Sequence, residues 1–379
     1  MRIAIDARYL NESFSGLGQY SENLVEHLAQ VDQRNEYFVF VHSSFDRRLR
    51  LGDNFHVIPY PGRPVSVRTL LSFGRRCARL KCDFLHSLSP AAPVLGIRHK
   101  ILTVHDLQPY AFEEDAALER LSVGRRLERM FYRLTFPHFV RDATWLVAVS
   151  HATKARLTAL FPEAAHKTIV VHSGVEDVYQ QPPEATIVQM VWKKLNLPQQ
   201  YILYVGSARR NKNLPTMLRV FARCVREEPE TFGHLHFLLA LGTDFRSPEC
   251  RRAIAELCLQ DNVRILGPIT EEEKRVLYHR ALLFLSATRG EGFGLPIVEA
   301  QASGLPVLAA DDAALPEVTG GTALLVDPDD EEQMSLHLRH LVGDENLRSS
   351  LAHAGRVNVE RFSWLTTARK TLDIYELLM

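Results

Sequence analysis

Cysteine is scarce in this 379-residue chain: there are five, with no C-x-x-C spacing among them. So odd and scattered a set excludes a disulfide framework and a zinc knuckle. It leaves Cys77, Cys82, Cys224, Cys250 and Cys258 as reduced structural thiols. Charge of one sign is missing too. Lys plus Arg and Asp plus Glu each total 45, so no global field points to nucleic acid. No run approaches the ~18 apolar residues of a membrane span. Residues 1–6 lead straight into an apolar strand without the hydrophobic region of a signal peptide. The expectation is a cytoplasmic protein. Nor does a D-x-D triad stand in a loop expected at a site, Asp311–Asp312 and Asp329–Asp330 being simple pairs. No metal and no cofactor are expected.

What the chain holds is apolar mass, 46% of its residues. Its length exceeds the roughly 250–300 residues at which single cores stop growing, so two domains are expected. Short buried strands are predicted at 3–6, 37–41, 55–58, 101–104, 145–149 and 169–171, with helical patterns at 18–30, 65–81, 116–136 and 151–161. This alternation predicts a parallel sheet covered by helices. It breaks at 179–200, where Gln180, Gln181, Pro182 and Pro183 open a polar stretch that reads as a linker. A second series follows at 201–205, 236–240, 263–266, 282–285, 306–309 and 323–326. The fold class is α/β, with two doubly wound, Rossmann-like domains at 1–180 and 200–360 facing a central cleft. A helix at 361–379 is expected to pack back toward the first domain. Ligands of such sheets gather at the carboxyl ends of the strands.

The densest chemistry lies between Glu291 and Glu299, which bracket Gly292, Phe293, Gly294, Leu295 and Pro296. Gly292 and Gly294 let the backbone approach a ligand closely and take positive φ. Pro296 suits the start of a short helix, 296–303, ended by Gly304 and followed by a buried strand at 305–310. Glu291 then overhangs a helix N-terminus, whose free N–H groups favour anions and hydroxyl-rich ligands. Glu299, a turn or two on, is placed to accept hydrogen bonds from a vicinal diol. A phosphate beside a sugar suits this layout. A surface turn with a solvated glutamate is the alternative.

Three further loops fall at strand ends. Gly16 and Gly18 expose backbone N–H groups to a phosphate. Ser21 at the third glycine position and a separation of some nine residues from the first strand argue against a dinucleotide fingerprint; a plain turn is the alternative. His105 and Asp106 end an apolar run, where a histidine can donate to a sugar hydroxyl or a carbonyl near a reaction centre. Against this stands a structural histidine beside a helix cap. Arg209, Arg210 and Lys212 pack three cations into four residues before a helix starting near Leu214. Cations and helix-start amides make a diphosphate clamp, unless the turn is simply solvated.

In this order the motifs resemble the family 4 retaining glycosyltransferases of the two-domain GT-B fold, its mannosyl- and rhamnosyltransferases most of all. The resemblance covers nearly the whole chain. It runs from Ile5, Asp6, Ala7 and Arg8 with Gly16 and Tyr20, through His105, Asp106, Leu107, Val149 and Ser150, to 205–213. It continues with Leu266, Gly267 and Pro268, the segment from Glu291 to Glu299, and 315–318. It implies that Glu291 lies by the donor sugar, that Glu299 grips the nucleotide ribose, and that Lys212 neutralises the diphosphate. The amides of Gly292, Phe293, Gly294 and Leu295 would hold sugar hydroxyls or phosphate, with Gly267 also on the donor side. Gly16 and Gly18 would close on the diphosphate from the first domain, with His105 near the sugar. Two positions depart from the family pattern. Asn211 stands where an arginine is usual, leaving Arg209 or Arg210 to substitute, and Ser173–Gly174 stands where Asn-Gly is common.

The resemblance also implies retaining, metal-independent transfer by front-face attack, the departing phosphate taking the acceptor's proton. Glu291 then positions the sugar, and Glu291→Gln is expected to lower transfer while leaving affinity for free diphosphate unchanged. Mannose from GDP-mannose is the first donor expected. UDP-glucose, another UDP-sugar and dTDP-rhamnose stay open, as do a GT-B epimerase or phosphorylase and a non-catalytic sugar-nucleotide-binding subunit. The acceptor expected is a glycan or a lipid-linked glycan of polysaccharide biosynthesis. Residues 47–81 carry nine Lys or Arg against Asp53 alone. A basic amphipathic helix at 65–81 can lie on an anionic membrane surface, giving a peripheral membrane protein; solvated arginines are the alternative. Residues 118–133 have the same basic character.

Overall fold

The protein is described by a computed structural model covering residues 1–11, 15–62, 64, 66–107 and 123–378, with the backbone alone at 11, 123–129 and 243. Two compact units divide it: residues 1–174 together with 362–379, and residues 175–361.

In the first unit seven strands are ordered β3-β2-β1-β4-β5-β6-β7. They are β1 (Arg2–Asp6), β2 (Glu36–His42), β3 (Phe55–Tyr60), β4 (Phe84–Ser87), β5 (His99–Val104), β6 (Trp145–Ala148) and β7 (Thr168–Val170). All pair in parallel. β1 lies between β2 and β4, so the winding reverses there. β4 was not expected from the sequence. It has four residues, two of them polar, and hydrophobic runs do not reveal it. Its polar residues are buried and hydrogen-bonded instead, Ser87 Oγ donating to the Ala91 carbonyl at 2.7 Å. His86 hydrogen-bonds with Tyr375 through Nδ1 at 2.7 Å and with Thr103 through Nε2 at 2.9 Å.

Tyr375 belongs to the helix Trp364–Glu376, which packs on the helix Gly16–Val31. Thr367 Oγ1 donates to the His172 carbonyl at 2.7 Å. A Cβ on Gly174 would stand 2.2 Å from the Trp364 backbone nitrogen. Packing, rather than a ligand, therefore accounts for that glycine.

Just past β1, Arg8 is fully buried against Asp6, with Nε 2.7 Å from Oδ1 and Nη2 2.5 Å from Oδ2. Its Nη1 donates to the Gly62 carbonyl and to Thr69 Oγ1, each at 2.8 Å. Burial disfavours the cation, but Asp6 more than offsets this and the Arg8 pKa is raised. Thr69 opens a π-helical turn, Thr69–Phe73, that runs into the helix Gly74–Arg79. Val65, in the helix expected at 65–81, lies outside the described residues, as do 116–122 of the helix expected at 116–136. The described helix there is Val123–Asp142.

In the second unit six parallel strands are ordered β10-β9-β8-β11-β12-β13. They are β8 (Tyr201–Val205), β9 (His236–Ala240), β10 (Val263–Leu266), β11 (Leu283–Ser286), β12 (Val307–Ala310) and β13 (Leu324–Val326). Each lies within a residue of its predicted span, because each is a mostly apolar run, and the central strands β8, β11 and β12 are buried almost throughout. The helix Leu214–Glu227 buries Leu214, Met217, Leu218 and Phe221, the i, i+3, i+4, i+7 stripe of a helix packed on a sheet. The stretch 179–200, read as a linker, contains the helix Ala185–Leu195 and belongs to this unit. Pro182 and Pro183 on one side and Pro198 on the other flank that helix rather than prevent it.

Candidate active site

In the second sheet the winding reverses between β8 and β11, and the loops after these two strands meet. After β8 the chain passes through a single 3-10 turn, Arg210–Lys212. Asn213, left-handed at φ 54°, then starts the helix Leu214–Glu227. After β11 it runs through Glu291 to the helix Leu295–Ala302. Backbone hydrogen bonds fix the two loops. The Arg289 N–H donates to the Asn211 carbonyl at 2.7 Å, and the Ala314 N–H donates to the Glu291 carbonyl at 3.2 Å. The Gly290 N–H donates to Asp312 Oδ2 at 2.5 Å.

On this frame Lys212 Nζ donates to Glu291 Oε2 at 2.5 Å, the two side chains being 20% and 22% exposed. The pair lines a pocket with Tyr204, Ser286, Thr288 and Pro296. Gly294, at φ 98°, is the left-handed residue that lets the helix start at Leu295, and a Cβ there would stand 2.9 Å from the Leu315 side chain. The other positive-φ residue of this loop is Gly290, at φ 65°. Gly292, expected to share the role, is buried without that conformation.

The remaining expected residues spread around this centre. Phe293 is buried and Leu295 half-buried, at the helix start. Arg209 and Arg210 are exposed, and Asn211 is buried. Gly267 follows β10, two strands from β8, with the Phe245 ring 3.7 Å from where its Cβ would be. Glu299 is only 2% exposed. Lys274 Nζ donates to its Oε1 at 3.2 Å and the Tyr278 hydroxyl donates to its Oε2 at 2.9 Å. Nothing in the sequence marks Lys274 or Tyr278, which follow the acidic run Glu271, Glu272 and Glu273. Asp312, dismissed as half of an aspartate pair, is the acceptor that holds Gly290. Asp327 and Asp329 do have D-x-D spacing, but Asp327 Oδ1 accepts from the Asp329 N–H at 2.9 Å and Asp329 pairs with Arg289.

In the first unit the helix starts at Gly16, two residues earlier than expected, with Ser15 as its cap. Ser15 Oγ accepts from the Gly18 N–H at 3.0 Å, so that amide already has a partner. Gly16 is exposed at the first helical position. His105 follows β5, its ring edge-on to Tyr20 with centroids 4.6 Å apart. Its Nε2 lies 3.0 Å from the Leu88 carbonyl, which can only accept. Nε2 therefore carries the proton, and Nδ1 is an acceptor rather than the donor expected.

Burial pushes the His105 pKa down to about 4, against the opposing bond to Leu88, and pushes the His86 pKa down to about 3. Unfolded histidines take up protons near pH ~6.5 while these stay neutral. The first unit should therefore keep its stability above ~6.5 and lose it as pH falls below that value. Between about pH 5 and 8 the pH–rate profile is expected to carry no limb from His105. A limb that disappears in His105→Gln would contradict the neutral state.

Residues 14–178 match the model of Glycosyltransferase Family 4, and residues 199–344 match that of Glycosyl transferases group 1. O-antigen chain mannosyltransferase B of Escherichia coli is 23% identical over 397 aligned positions, covering 100% of both chains. Among solved structures, a sucrose-phosphate synthase of Thermosynechococcus elongatus superposes with a TM-score of 0.77 at 21% identity, over 100% of this chain and 99% of that one. Anabaena HepE, solved in complex with UDP and glucose, superposes with a TM-score of 0.71 at 16% identity, over 99% of both chains. These two likenesses concern the fold.

Proposed function

The chain belongs to the family 4 glycosyltransferases of the GT-B fold, and from that premise we propose that it transfers mannose from GDP-mannose to a glycan or lipid-linked acceptor, with retention and without a metal. The Lys212–Glu291 pair at the β8/β11 reversal carries this reading. It supplies one cation and one anion where a nucleotide sugar presents a diphosphate and sugar hydroxyls. As the bond from the anomeric carbon to phosphate oxygen breaks, negative charge grows on the diphosphate and positive charge on the ring. Lys212 stabilises the first charge as a preorganised cation. Glu291 accepts from the sugar hydroxyls. The acceptor oxygen bonds to the anomeric carbon from the face the phosphate leaves, and its proton passes to the departing phosphate oxygen. Mannose is favoured by the Escherichia coli relative, named a mannosyltransferase, and by the resemblance of the motifs. A UDP-sugar is the second reading, favoured by the complexes of HepE.

Donor hydrolysis by purified protein tests this, with GDP-mannose, UDP-glucose and dTDP-rhamnose, each with and without EDTA. GDP-mannose is expected to turn over fastest and equally in both conditions. Faster turnover of another donor corrects the sugar, and loss in EDTA corrects the metal independence. An epimerised nucleotide sugar or a requirement for free phosphate points to the epimerase or phosphorylase.

We also propose that the first unit docks on an anionic membrane surface that presents the acceptor. Among the described residues no helix is long and apolar enough to cross a membrane. Around Gly74–Arg79, however, Arg68, Arg75, Arg76 and Arg79 are exposed beside Val67 and Leu71, which are 60% and 50% exposed. Val94 and Leu95, also exposed, adjoin them through the Val94 N–H bond to the Leu70 carbonyl. Apolar side chains interleaved with arginines suit a headgroup boundary. Reversing charge at Arg75, Arg76 and Arg79 should lower vesicle partitioning by well over about a hundredfold, at about 1 kcal/mol per basic group. Donor hydrolysis should survive. Sedimentation with phosphatidylglycerol vesicles at low salt measures it, and wild-type protein left in the supernatant would remove the membrane reading.

A further inference from the structure

The helix Glu271–Arg280 turns three polar side chains at i, i+3 and i+7 toward one cluster around Glu299: Glu271, Lys274 and Tyr278. Lys274 is 8% exposed and donates to both Glu299, at 3.2 Å, and Glu271, at 2.9 Å. Tyr278 is fully buried and donates to the other oxygen of Glu299 at 2.9 Å. Glu271 in turn accepts from the Tyr179 hydroxyl at 2.8 Å, and the Tyr179 ring lies 5.4 Å from Lys274 Nζ. A reciprocal capping box, Thr270 with Glu273, fixes where this helix begins.

Such a cluster is costly to build. A buried ion pair is often no more stabilising than apolar residues of the same volume, and a leucine-like side chain at 274 would pack with no desolvation. Burial disfavours the Lys274 cation, yet Glu299 and then Glu271 hold its pKa above the ordinary value. A carboxylate has about four acceptor directions, and donors on both oxygens, Lys274 on Oε1 and Tyr278 on Oε2, fix the plane of the group.

We infer that Lys274 and Tyr278 are positioning residues, holding the Glu299 carboxylate in a single orientation for the ribose diol of the donor nucleotide. This rests on the reading of Glu299 as the ribose acceptor, and it adds two residues from a different helix to that function. Neither touches the substrate. Their effect should therefore appear in discrimination between ribose and its deoxy forms rather than in diphosphate affinity.

The test is calorimetric titration of GDP and UDP, each against its 2′,3′-dideoxy counterpart, with the full chain. Wild-type protein should prefer the ribonucleotide of its tighter-binding base by about tenfold or more, the worth of one hydrogen bond to a charged group. Lys274→Met and Tyr278→Phe should each shrink that preference toward unity while binding the dideoxy form as wild type does. In Glu299→Gln, adding Lys274→Met should change the preference no further. A folded Lys274→Met that keeps the wild-type preference overturns the inference. Should that variant fail to fold, a wild-type preference in Tyr278→Phe overturns it equally. Wild-type protein that prefers neither form removes the Glu299 reading itself, a result seen before any variant of the helix is measured.

Discussion

Lys212→Ala is expected to lower kcat by about 10²–10³-fold, the typical cost of deleting one preorganised charge-stabilising donor. Affinity for the nucleoside diphosphate should weaken with it. Two losses combine: the growing phosphate charge loses its cation, and Glu291 loses its partner in a site only about one-fifth exposed. Wild-type diphosphate affinity in this variant, measured by calorimetry, would sink the assignment of Lys212. The same pair alters the outcome anticipated for Glu291→Gln. From the sequence alone that change should leave free diphosphate affinity untouched. With Lys212 bound to Glu291 at 2.5 Å, the carboxylate competes with phosphate for the ammonium. Glu291→Gln should therefore tighten diphosphate binding, by several-fold for an exposed-to-intermediate pair worth about 1 kcal/mol, while transfer falls. Opposite signs for the two measurements identify the competition.

The largest stability effect is expected in the first unit. Arg8→Met should cost it about 3–5 kcal/mol, the penalty for leaving one member of a buried ion pair uncompensated. Asp6 would remain as a carboxylate with almost no access to water, and Gly62 and Thr69 would lose their shared donor. The midpoint of urea unfolding, followed by a probe in this unit, measures the loss. The double variant Asp6→Asn with Arg8→Met should recover a substantial part, because it removes the stranded charge. Equal destabilisation in the single and double variants would show that the loss comes from packing of Arg8 on Tyr60 and Phe73 rather than from charge.

The strands are legible in the sequence where they are mostly apolar runs, which covers all six of the second sheet. β4 escaped because it is short and half polar, and His86 is satisfied by Thr103 and by Tyr375, 289 residues away, which no local pattern encodes. The helix Leu295–Ala302 is legible from Gly294, Pro296 and Gly304, whose backbone requirements are local. The pairing of Lys212 with Glu291 is not, since the two lie 79 residues apart and each by itself suits a different half of a ligand. Lys274 was invisible for a related reason. In a run of glutamates and basic residues a lysine facing inward has the same letters as one facing water, and only the position of Glu299 across from it decides which it is.

The return of residues 362–378 to the first unit has a consequence for the growing chain. The second unit, 175–361, is inserted within the first, so it can be completed while the first is still missing a helix. His86 must wait for Tyr375, 289 residues later, before its Nδ1 has a partner. At about 5–20 residues per second that is a delay of roughly fifteen seconds to a minute. During it the surface later covered by Trp364–Glu376 stays open, available to chaperones, and a segment translated after the whole second unit acts as the bolt that closes the first.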